Sequence, residues 1–430
     1  MRIVLCNPRW HYEGSIYFGC REPHLPLELG YARALLERDG HTATLVDAHA
    51  EGLHGPALAR RMNELQPDLF VLTTAPSYLF WRCPPPELRV PMEAMREVRD
   101  LRCPKVGVGP HASSSPETTL GKLGLDAVVV GECEEVVQAL AATPHTSWPN
   151  LPHVVTRAGQ LHGPVRPALT NLDRLPTLRW DRTEISRHTH QHHRFDSAPA
   201  GLGAEVEASR GCPFSCTFCA KETHRNGYRR RPLTTLLAEI DALASLGVRY
   251  LYFIDEIFLP DHHLLAALSA RHLHFGIQTR IDLWDDAHLD QLGRAGCVSI
   301  EAGVESVTDD GRTALRKNCR LHTDELVRRL IRARRKVPFV QATLMQTHFD
   351  QPAEVRAFSA RMKAAAIWVN EPVPAFPYPG SPDYRLRWGT PDGRAWERAH
   401  DYYLARNPHL CNLQDERALP LPILEAEAVA

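Results

Sequence analysis

Short apolar runs alternate with amphipathic stretches along nearly the whole of this chain, and that rhythm restricts it to an α/β architecture built on parallel sheets. Ile3–Cys6 is followed by Asn7-Pro8, and Leu27–Arg38 carries Leu29, Ala32, Leu35 and Leu36 at helical spacing before Gly40. The strand pattern recurs at Thr42–Val46, Asp68–Thr73, Lys105–Val108 and Ala127–Val130, and the helical one at Pro56–Leu65 and Glu134–Ala142. Runs this short and apolar are buried on both faces, so residues 1–140 are predicted to form a Rossmann-like, doubly wound parallel sheet. Such sheets bind ligands beyond the carboxyl ends of their strands, where Pro8, Thr73–Tyr78, Gly109–Ser113 and Gly131-Glu132 gather. No Gly-x-Gly-x-x-Gly follows the first strand and no Walker sequence is present, which disfavours a nucleotide as the ligand.

The rhythm resumes at Ala204. Strands at Glu205–Ser209, Tyr250–Ile254, His274–Thr279, Cys297–Ala302, Phe339–Met345 and Ile367–Val369 alternate with helices such as Leu233–Leu246 and Thr323–Lys336. They predict a partial (β/α)6 barrel over residues 201–385, with functional residues at the carboxyl ends of its strands. Residues 141–200 are a proline-rich linker in which Val154–Leu161 suggests a small hairpin. His188, His190, His192 and His193 lack the fixed spacing of a metal site and read as a polar surface loop. Residues 386–430 are an extension, with Trp388 and Trp396 expected over the barrel mouth and the final dozen residues expected to be disordered.

After the first barrel strand comes Arg210-Gly211-Cys212-Pro213-Phe214-Ser215-Cys216-Thr217-Phe218-Cys219. This spacing lets one loop present three thiolates to a cubane iron-sulfur cluster and leaves a fourth iron open. A structural zinc ion would want a fourth ligand, and the nearest imidazole, His224, would make an uncommon single-loop site. With Phe218 before the third cysteine, the motif resembles the signature of the radical S-adenosylmethionine (radical SAM) enzymes, in which the open iron chelates the amino and carboxylate groups of that cofactor. The resemblance implies that Cys212, Cys216 and Cys219 hold a 4Fe-4S cluster. It also implies that Phe218, Asp255-Glu256, Thr279-Arg280 and Glu305-Ser306 line the S-adenosyl-L-methionine site. Carboxylates there suit ribose hydroxyls or an ammonium, and Arg280 suits a carboxylate. Tyr378-Pro379-Gly380-Ser381-Pro382 resembles the segment after the last barrel strand of these enzymes, whereas Gln341–Pro352 lacks their glycine-rich turn.

The amino-terminal part resembles the cobalamin-binding domain that precedes many radical SAM domains. The likeness rests on Pro26-Leu27-Glu28-Leu29-Gly30-Tyr31, Gly109-Pro110-His111-Ala112 and Val130-Gly131-Glu132, in that order, and covers residues 1–140. It implies that Pro8, Leu27 and Gly30 border cobalamin, as do Thr73, Thr74, Ala75 and Pro76 after the third strand. Gly109, Pro110 and His111 would do so after the fourth strand, and Gly131 and Glu132 after the fifth. The alternative is a ligand-free Rossmann-like domain that only packs on the rest. Asp47-Ala48-His49-Ala50-Glu51-Gly52 matches the pattern by which other cobalamin proteins offer cobalt a histidine, but it follows the second strand, at a sheet edge. His49 is therefore read as an exposed loop residue.

Composition narrows the partners. A formal net charge of -1 over 430 residues gives no bulk attraction for nucleic acid or an anionic membrane, so the expected substrate is a small molecule. An odd count of 11 cysteines, with no leader-like start, predicts reduced thiols and a cytoplasmic location. No apolar run approaches the ~18 residues of a membrane span. Lys221, Arg225 and Arg229–Arg231 form either a solvated face or a patch that steers an anionic substrate or an electron donor such as flavodoxin or ferredoxin. Taken together the chain resembles the class B cobalamin-dependent radical SAM methylases. That implies C-methylation of an unactivated carbon through a 5'-deoxyadenosyl radical and methylcobalamin. The alternatives are a non-methylating radical rearrangement or cyclisation and, with less support because no helix-turn-helix unit remains, a non-catalytic sensor. The sequence assigns neither a catalytic residue nor a particular substrate.

Overall fold

The computed structural model describes residues 1–10, 24–76, 84–157, 165–188, 201–407 and 417–428. The chain divides into two compact units, Met1–Arg179 with Cys219–Asn226 and Phe376–Ala430, and Trp180–Phe218 with Gly227–Ala375.

In the first unit, β1 (Arg2–Asn7), β2 (Thr42–Asp47), β3 (Leu69–Thr73), β4 (Lys105–Val108) and β5 (Ala127–Val129) lie parallel in the order β2-β1-β3-β4-β5. The helices between them are α1 (Leu27–Arg38), α2 (Pro56–Leu65), α3 (Arg89–Glu97), α4 (Pro110–Ser114), α5 (Pro116–Leu123) and, after β5, α6 (Glu134–Ala142). Alternate residues of each strand feed two cores. Ile3, Leu5, Leu69 and Val71 pack with Leu29 and Leu36 of α1 and Val137 and Leu140 of α6. Val4, Cys6, Phe70 and Leu72 pack on the other face with Met62 of α2, Ala94 of α3 and Leu120 and Leu123 of α5. Each such side chain contributes roughly 1.5–3 kcal/mol when buried. The strands are apolar throughout because both faces are covered. Strand order reverses between β1 and β3, so the crevice of the sheet opens between Asn7-Pro8 and Thr73–Pro76.

Two local expectations change. The segment Val154–Thr156, expected in a small hairpin, pairs as β6 antiparallel with β5, Val129 opposite Val154, and residues 158–164, the other half of that expectation, lie outside the described residues. His49 is half-buried rather than exposed, in the turn after the edge strand β2 as expected. Its neighbour Asp47 holds the turn by accepting from Asn7 Nδ2 at 2.9 Å and from Ala50 N at 3.1 Å. His190, His192 and His193 are also outside the described residues.

The second unit carries β7 (Leu202–Val206), a short antiparallel ladder of β8 (Ser209–Arg210) with β9 (Arg229–Arg230), and then β10 (Val248–Phe253), β11 (His274–Thr279), β12 (Cys297–Glu305), β13 (Phe339–Gln346) and β14 (Trp368–Val369). β7 and β10 to β14 form one parallel sheet in the order β14-β13-β12-β11-β10-β7, and β15 (Val373–Pro374) also pairs with β13. The intervening helices are α7 (Arg182–Arg187), α8 (Leu233–Ser245), α9 (His262–Ser269), α10 (Asp286–Arg294), α11 (Asp309–Ala314), α12 (Thr323–Lys336) and α13 (Pro352–Ala364). Side-chain caps fix where several begin: Asp261 Oδ1 accepts from His263 N at 2.9 Å, and Asp285 Oδ1 from His288 N at 2.8 Å.

The carboxyl-terminal α14 (Pro382–Trp388), α15 (Ala395–Arg406) and α16 (Leu421–Glu427) belong to the first unit. The expected structureless end is therefore wrong for Leu421–Glu427. Leu421 and Leu424 are fully buried, and Lys122 reaches Glu425 at 2.6 Å, so apolar burial and an ion pair order this helix. Trp396 also belongs to this unit, where it stacks on His111.

Candidate functional site

The cysteine loop begins where β7 ends. Asp255 and Glu256, just beyond β10, hold this passage: Asp255 Oδ1 accepts from Ala208 N at 2.8 Å, Oδ2 from Ser209 Oγ at 2.5 Å, and Glu256 Oε2 from Gly211 N at 2.8 Å. Gly211 has φ 75°, a conformation that favours glycine at the entry to the loop. Further on, Thr217 N donates to Leu315 O at 3.1 Å. Cys212, Cys216 and Cys219 are half-buried thiols outside any disulfide. Among the described residues no three His, Cys, Asp or Glu side chains converge closely enough to hold a single metal ion. Three thiols on one loop are instead the donor set of an iron-sulfur cluster, and the residues fit that group. Burial pushes the Cys216 thiol up and Glu305 adds to the shift, while Lys317 and Arg280 pull it down. His224 does not complete a zinc site: its Nδ1 lies 3.4 Å from Ser113 Oγ in the first unit.

The polar residues beyond the strands separate into two groups. Arg280 lies 3.9 Å over the Phe214 ring, pairs with Asp282 at 2.7 Å and leaves Nη1 without a partner. Glu305, in the left-handed region at φ 62°, receives Lys317 Nζ at 3.1 Å on Oε1 and leaves Oε2 unpartnered. These atoms, with Asp255 and Glu256, surround the loop. Thr279 faces the other way: its hydroxyl donates to Phe258 O at 2.7 Å and accepts from Trp284 Nε1 at 2.9 Å. Ser306 is likewise engaged, donating to Asp350 Oδ1 at 2.7 Å. Phe218 is half-buried. Burial raises the Asp255 carboxyl to about 8, Glu207 and Glu256 add to this, and the Ser209 and Ala208 hydrogen bonds oppose it.

The basic run is only in part a solvated face. Arg230 is exposed and pairs with Asp261, whereas Arg231 is buried in an ion pair with Glu239 at 2.8 Å and Arg225 is buried. Lys221–Thr223 forms one 3-10 turn.

At the strand ends of the first unit, Thr73 Oγ1 donates to Ala75 O at 2.6 Å and Thr74 N to Val108 O at 2.8 Å. Gly109 caps α4, Pro110 opens it, and Ser113 Oγ, which donates to Gly109 O at 2.8 Å, accepts from Gly131 N at 2.9 Å, tying the ends of β4 and β5. Burial holds the His111 imidazole neutral, with its pKa down at about 3. Its ring stacks on Trp396 at 4.2 Å, and Trp396 Nε1 donates to Ser114 Oγ at 2.9 Å. Thr74 Oγ1 and His111 Nδ1 are buried without a hydrogen-bond partner. Buried polar atoms of that kind mark a place where a ligand rich in amides, as cobalamin is, would be received, so the residues fit it. Pro8, Leu27, Gly30 and Pro76 are buried, while Ser77 and Tyr78 lie outside the described residues. Glu132 is engaged by the chain itself, its Oε2 accepting from Thr170 N at 2.9 Å.

Residues 206–357 match the Radical SAM superfamily. The chain carries a radical SAM domain. Among curated proteins, an uncharacterized methyltransferase of Pyrococcus horikoshii is 24% identical over 326 residues, 72% of this chain and 66% of that protein. The anaerobic magnesium-protoporphyrin IX monomethyl ester cyclase of Cereibacter sphaeroides is 26% identical over 325 residues, 71% of this chain and 50% of that one. This chain therefore spans between half and two thirds of the length of these relatives. The structure of the radical S-adenosylmethionine methyltransferase TsrM from Kitasatospora setae, with cobalamin and a [4Fe-4S] cluster bound, superposes with a TM-score of 0.69 at 19% identity, covering 89% of this chain and 76% of TsrM. The radical SAM domain with a Rossmann-like sheet before it is thus the architecture of a known cobalamin-binding enzyme.

Sequence reading missed Lys317, because a lysine past a short helix carries no visible signal until the fold sets its ammonium on Glu305. It also missed Asp350, which accepts from Ser306, Thr308 and Thr347 at once.

Proposed function

We propose that the chain is a cobalamin-dependent radical SAM methyltransferase acting on an unactivated carbon of a small molecule. One observation carries the reading. A single chain combines a three-thiol loop bordered by Asp255, Glu256, Arg280 and Glu305 with a doubly wound sheet whose strand-end atoms Thr74 Oγ1 and His111 Nδ1 lack partners. The methyltransferase names among its relatives support it.

Cys212, Cys216 and Cys219 would hold the cluster. Phe218, Glu256, Arg280 and Glu305 would receive S-adenosylmethionine, and Asp255, Thr279 and Ser306 would act by positioning their neighbours. Residues 1–140 would hold cobalamin through Pro8, Leu27, Gly30, Thr73–Pro76, Gly109–His111 and the Gly131-Glu132 turn, residues 141–200 would link, and residues 201–385 would form the catalytic barrel. When bound, these groups supply one-electron cleavage of S-adenosylmethionine and a transferable methyl group. The protein's part is to bind and orient. Glu256 keeps Gly211 and thus the loop entry in place, Thr217 pins the far side, and Lys317 fixes the carboxylate of Glu305. An electron donor of flavodoxin or ferredoxin type and a cytoplasmic setting belong to the same proposal, since reduced thiols suit that compartment. Among the described residues no helix is long and apolar enough to cross a membrane.

The test is anaerobic reconstitution with iron, sulfide and methylcobalamin, followed by mass-spectrometric assay of S-adenosylmethionine products under a strong reductant. 5'-Deoxyadenosine together with S-adenosylhomocysteine supports methylation. 5'-Deoxyadenosine alone, with no S-adenosylhomocysteine in the presence of turnover, moves the assignment to rearrangement or cyclisation. A protein that takes up cluster and cobalamin but forms neither product would be a binding module.

A further inference from the structure

A lysine with a side chain only 3% exposed stands beside the cysteine loop, in the turn between α11 and α12. Arg316 and Asn318, on either side of Lys317, both lie in the left-handed region, at φ 51° and 52°. Residues other than glycine hold that conformation where their surroundings impose it. Here Arg316 N donates to Thr313 O at 2.9 Å and Lys317 N to Arg312 O at 3.0 Å. The same turn carries the loop, because Leu315 O accepts from Thr217 N, next to Cys216, at 3.1 Å. One short turn thus fixes both the Lys317 side chain and the middle of the thiol loop.

The ammonium is buried with few partners. Lys317 Nζ donates to Glu305 Oε1 and to Gly303 O, each at 3.1 Å. Stability does not account for such a pair, since two apolar side chains of similar volume usually serve as well or better than two charges taken out of water. A charge held away from water acts strongly on what it faces. Burial is the largest influence on the Cys216 thiol and raises its pKa; among the charges Lys317 comes next and lowers it, then Glu305 raises it and Arg280 lowers it. Lys317 and Glu305 cancel at a distance, but at this sulfur the lysine outweighs the glutamate.

We infer that Lys317 sets the reduction potential of the cluster held by Cys212, Cys216 and Cys219. A one-electron donor of flavodoxin or ferredoxin type adds one negative charge to that group, and an ammonium fixed beside a ligating sulfur favours the reduced form over the oxidised one. Lys317 is a positioning residue that acts through the cluster, with no bond made or broken at its own atoms. The inference depends on the cluster assignment and is independent of methylation.

The test uses anaerobically reconstituted protein without S-adenosylmethionine, poised with titanium(III) citrate and viologen mediators, the reduced cluster being counted by electron paramagnetic resonance. Lys317→Met should disfavour reduction by about tenfold, a midpoint ~59 mV lower for a one-electron couple. Lys317→Arg keeps the charge and should stay within about twofold of wild type in the same equilibrium. Lys317→Met/Glu305→Met leaves no buried ion unpaired, which keeps the test open if the single variant fails to fold. Its midpoint should lie between those of wild type and Lys317→Met. Lys336→Met, at an exposed pair with Asp290, should change the equilibrium by less than about twofold. A wild-type midpoint in Lys317→Met, or in the double variant where the single one does not fold, would overturn the inference. So would an equal fall in Lys317→Arg, which would make shape rather than charge the cause, or an equal fall in Lys336→Met. A wild-type protein that takes up no cluster would overturn it together with the cluster assignment. The expected shift in a protein that forms no S-adenosylhomocysteine would uphold the role of Lys317 and count against the proposed function alone.

Discussion

Ser209 Oγ donates to Asp255 Oδ2 at 2.5 Å with both residues buried, so the entry to the cysteine loop hangs on a buried carboxyl group. That carboxyl titrates at about 8 in the fold against 3.8 unperturbed, with burial the main cause. A raised carboxyl value means that its contribution is fully present below the unfolded value and is lost as pH rises through the folded one. Stability should therefore decline between about pH 4 and 8 by up to ~1.4 kcal/mol per pH unit from this group. Asp255→Asn should flatten that slope, read from urea midpoints across the range. Equal slopes in the variant and the wild type would remove Asp255 as the cause.

The Lys317 and Glu305 pair makes a second case. Nζ and Oε1 are 3.1 Å apart with side chains 3% and 15% exposed, so neither charge has bulk water as an alternative partner. Lys317→Met leaves a buried carboxylate alone and should destabilise the protein by about 3–5 kcal/mol in chemical denaturation. Glu305→Gln keeps shape and a hydrogen bond. It leaves the buried Lys317 ammonium with an amide oxygen and with Gly303 O at 3.1 Å, so it should cost less than Lys317→Met while weakening S-adenosylmethionine by about tenfold in equilibrium dialysis, and an unaltered affinity would exclude Glu305 from that site.

Both sheets were legible in the sequence because burial on two faces leaves short apolar runs, as at Leu69–Leu72 and Tyr250–Phe253. The cysteine loop was legible because its chemistry depends on spacing alone. What the sequence hid was direction. Thr279 and Arg280 are neighbours, yet strand alternation sends the threonine hydroxyl to Trp284 and leaves the arginine beside Phe214. Contacts between distant segments were hidden too. The pairing of His111 with Trp396, and of Lys122 with Glu425, depends on a carboxyl-terminal segment whose composition shows no period. Glu132, placed among the ligand residues by position, also holds Thr170, a partner that only the fold brings near.

Gly131 tests that last point directly. It has φ 95°, and a Cβ there would meet Ala168 N at 2.2 Å, because Gly131 bridges to Ala168 while Glu132 N donates to Ala168 O at 3.0 Å. Gly131→Ala should cost about 1–3 kcal/mol through backbone strain alone, and more if the 165–170 segment must move. Gly124→Ala is the control: its φ of 63° is also left-handed, but the nearest atom is the flexible Arg157 Nη2 at 3.7 Å. If the two variants unfold at the same denaturant concentration, the tight approach at Ala168 contributes nothing.

The stack of His111 on Trp396 predicts an acid limit of the first unit. A histidine held at about 3 by burial, against 6.5 unperturbed, must be charged on unfolding but resists charging in the fold. Its contribution is complete above the unfolded value and is lost as pH falls toward the folded one, by up to ~1.4 kcal/mol per pH unit between about 6.5 and 3. His111→Gln should lessen that loss in acid unfolding monitored by far-ultraviolet circular dichroism. Trp396→Ala removes both the ring beneath His111 and the donor to Ser114, and should cost about 3–5 kcal/mol. Trp396→Phe retains the stack but not the hydrogen bond to Ser114, so about 1 kcal/mol should separate it from wild type. Under the proposed function the same two variants should retain cobalamin after desalting in the order Phe above Ala, read from corrin absorbance. Equal retention in both would show that the His111 turn does not shape the corrin site.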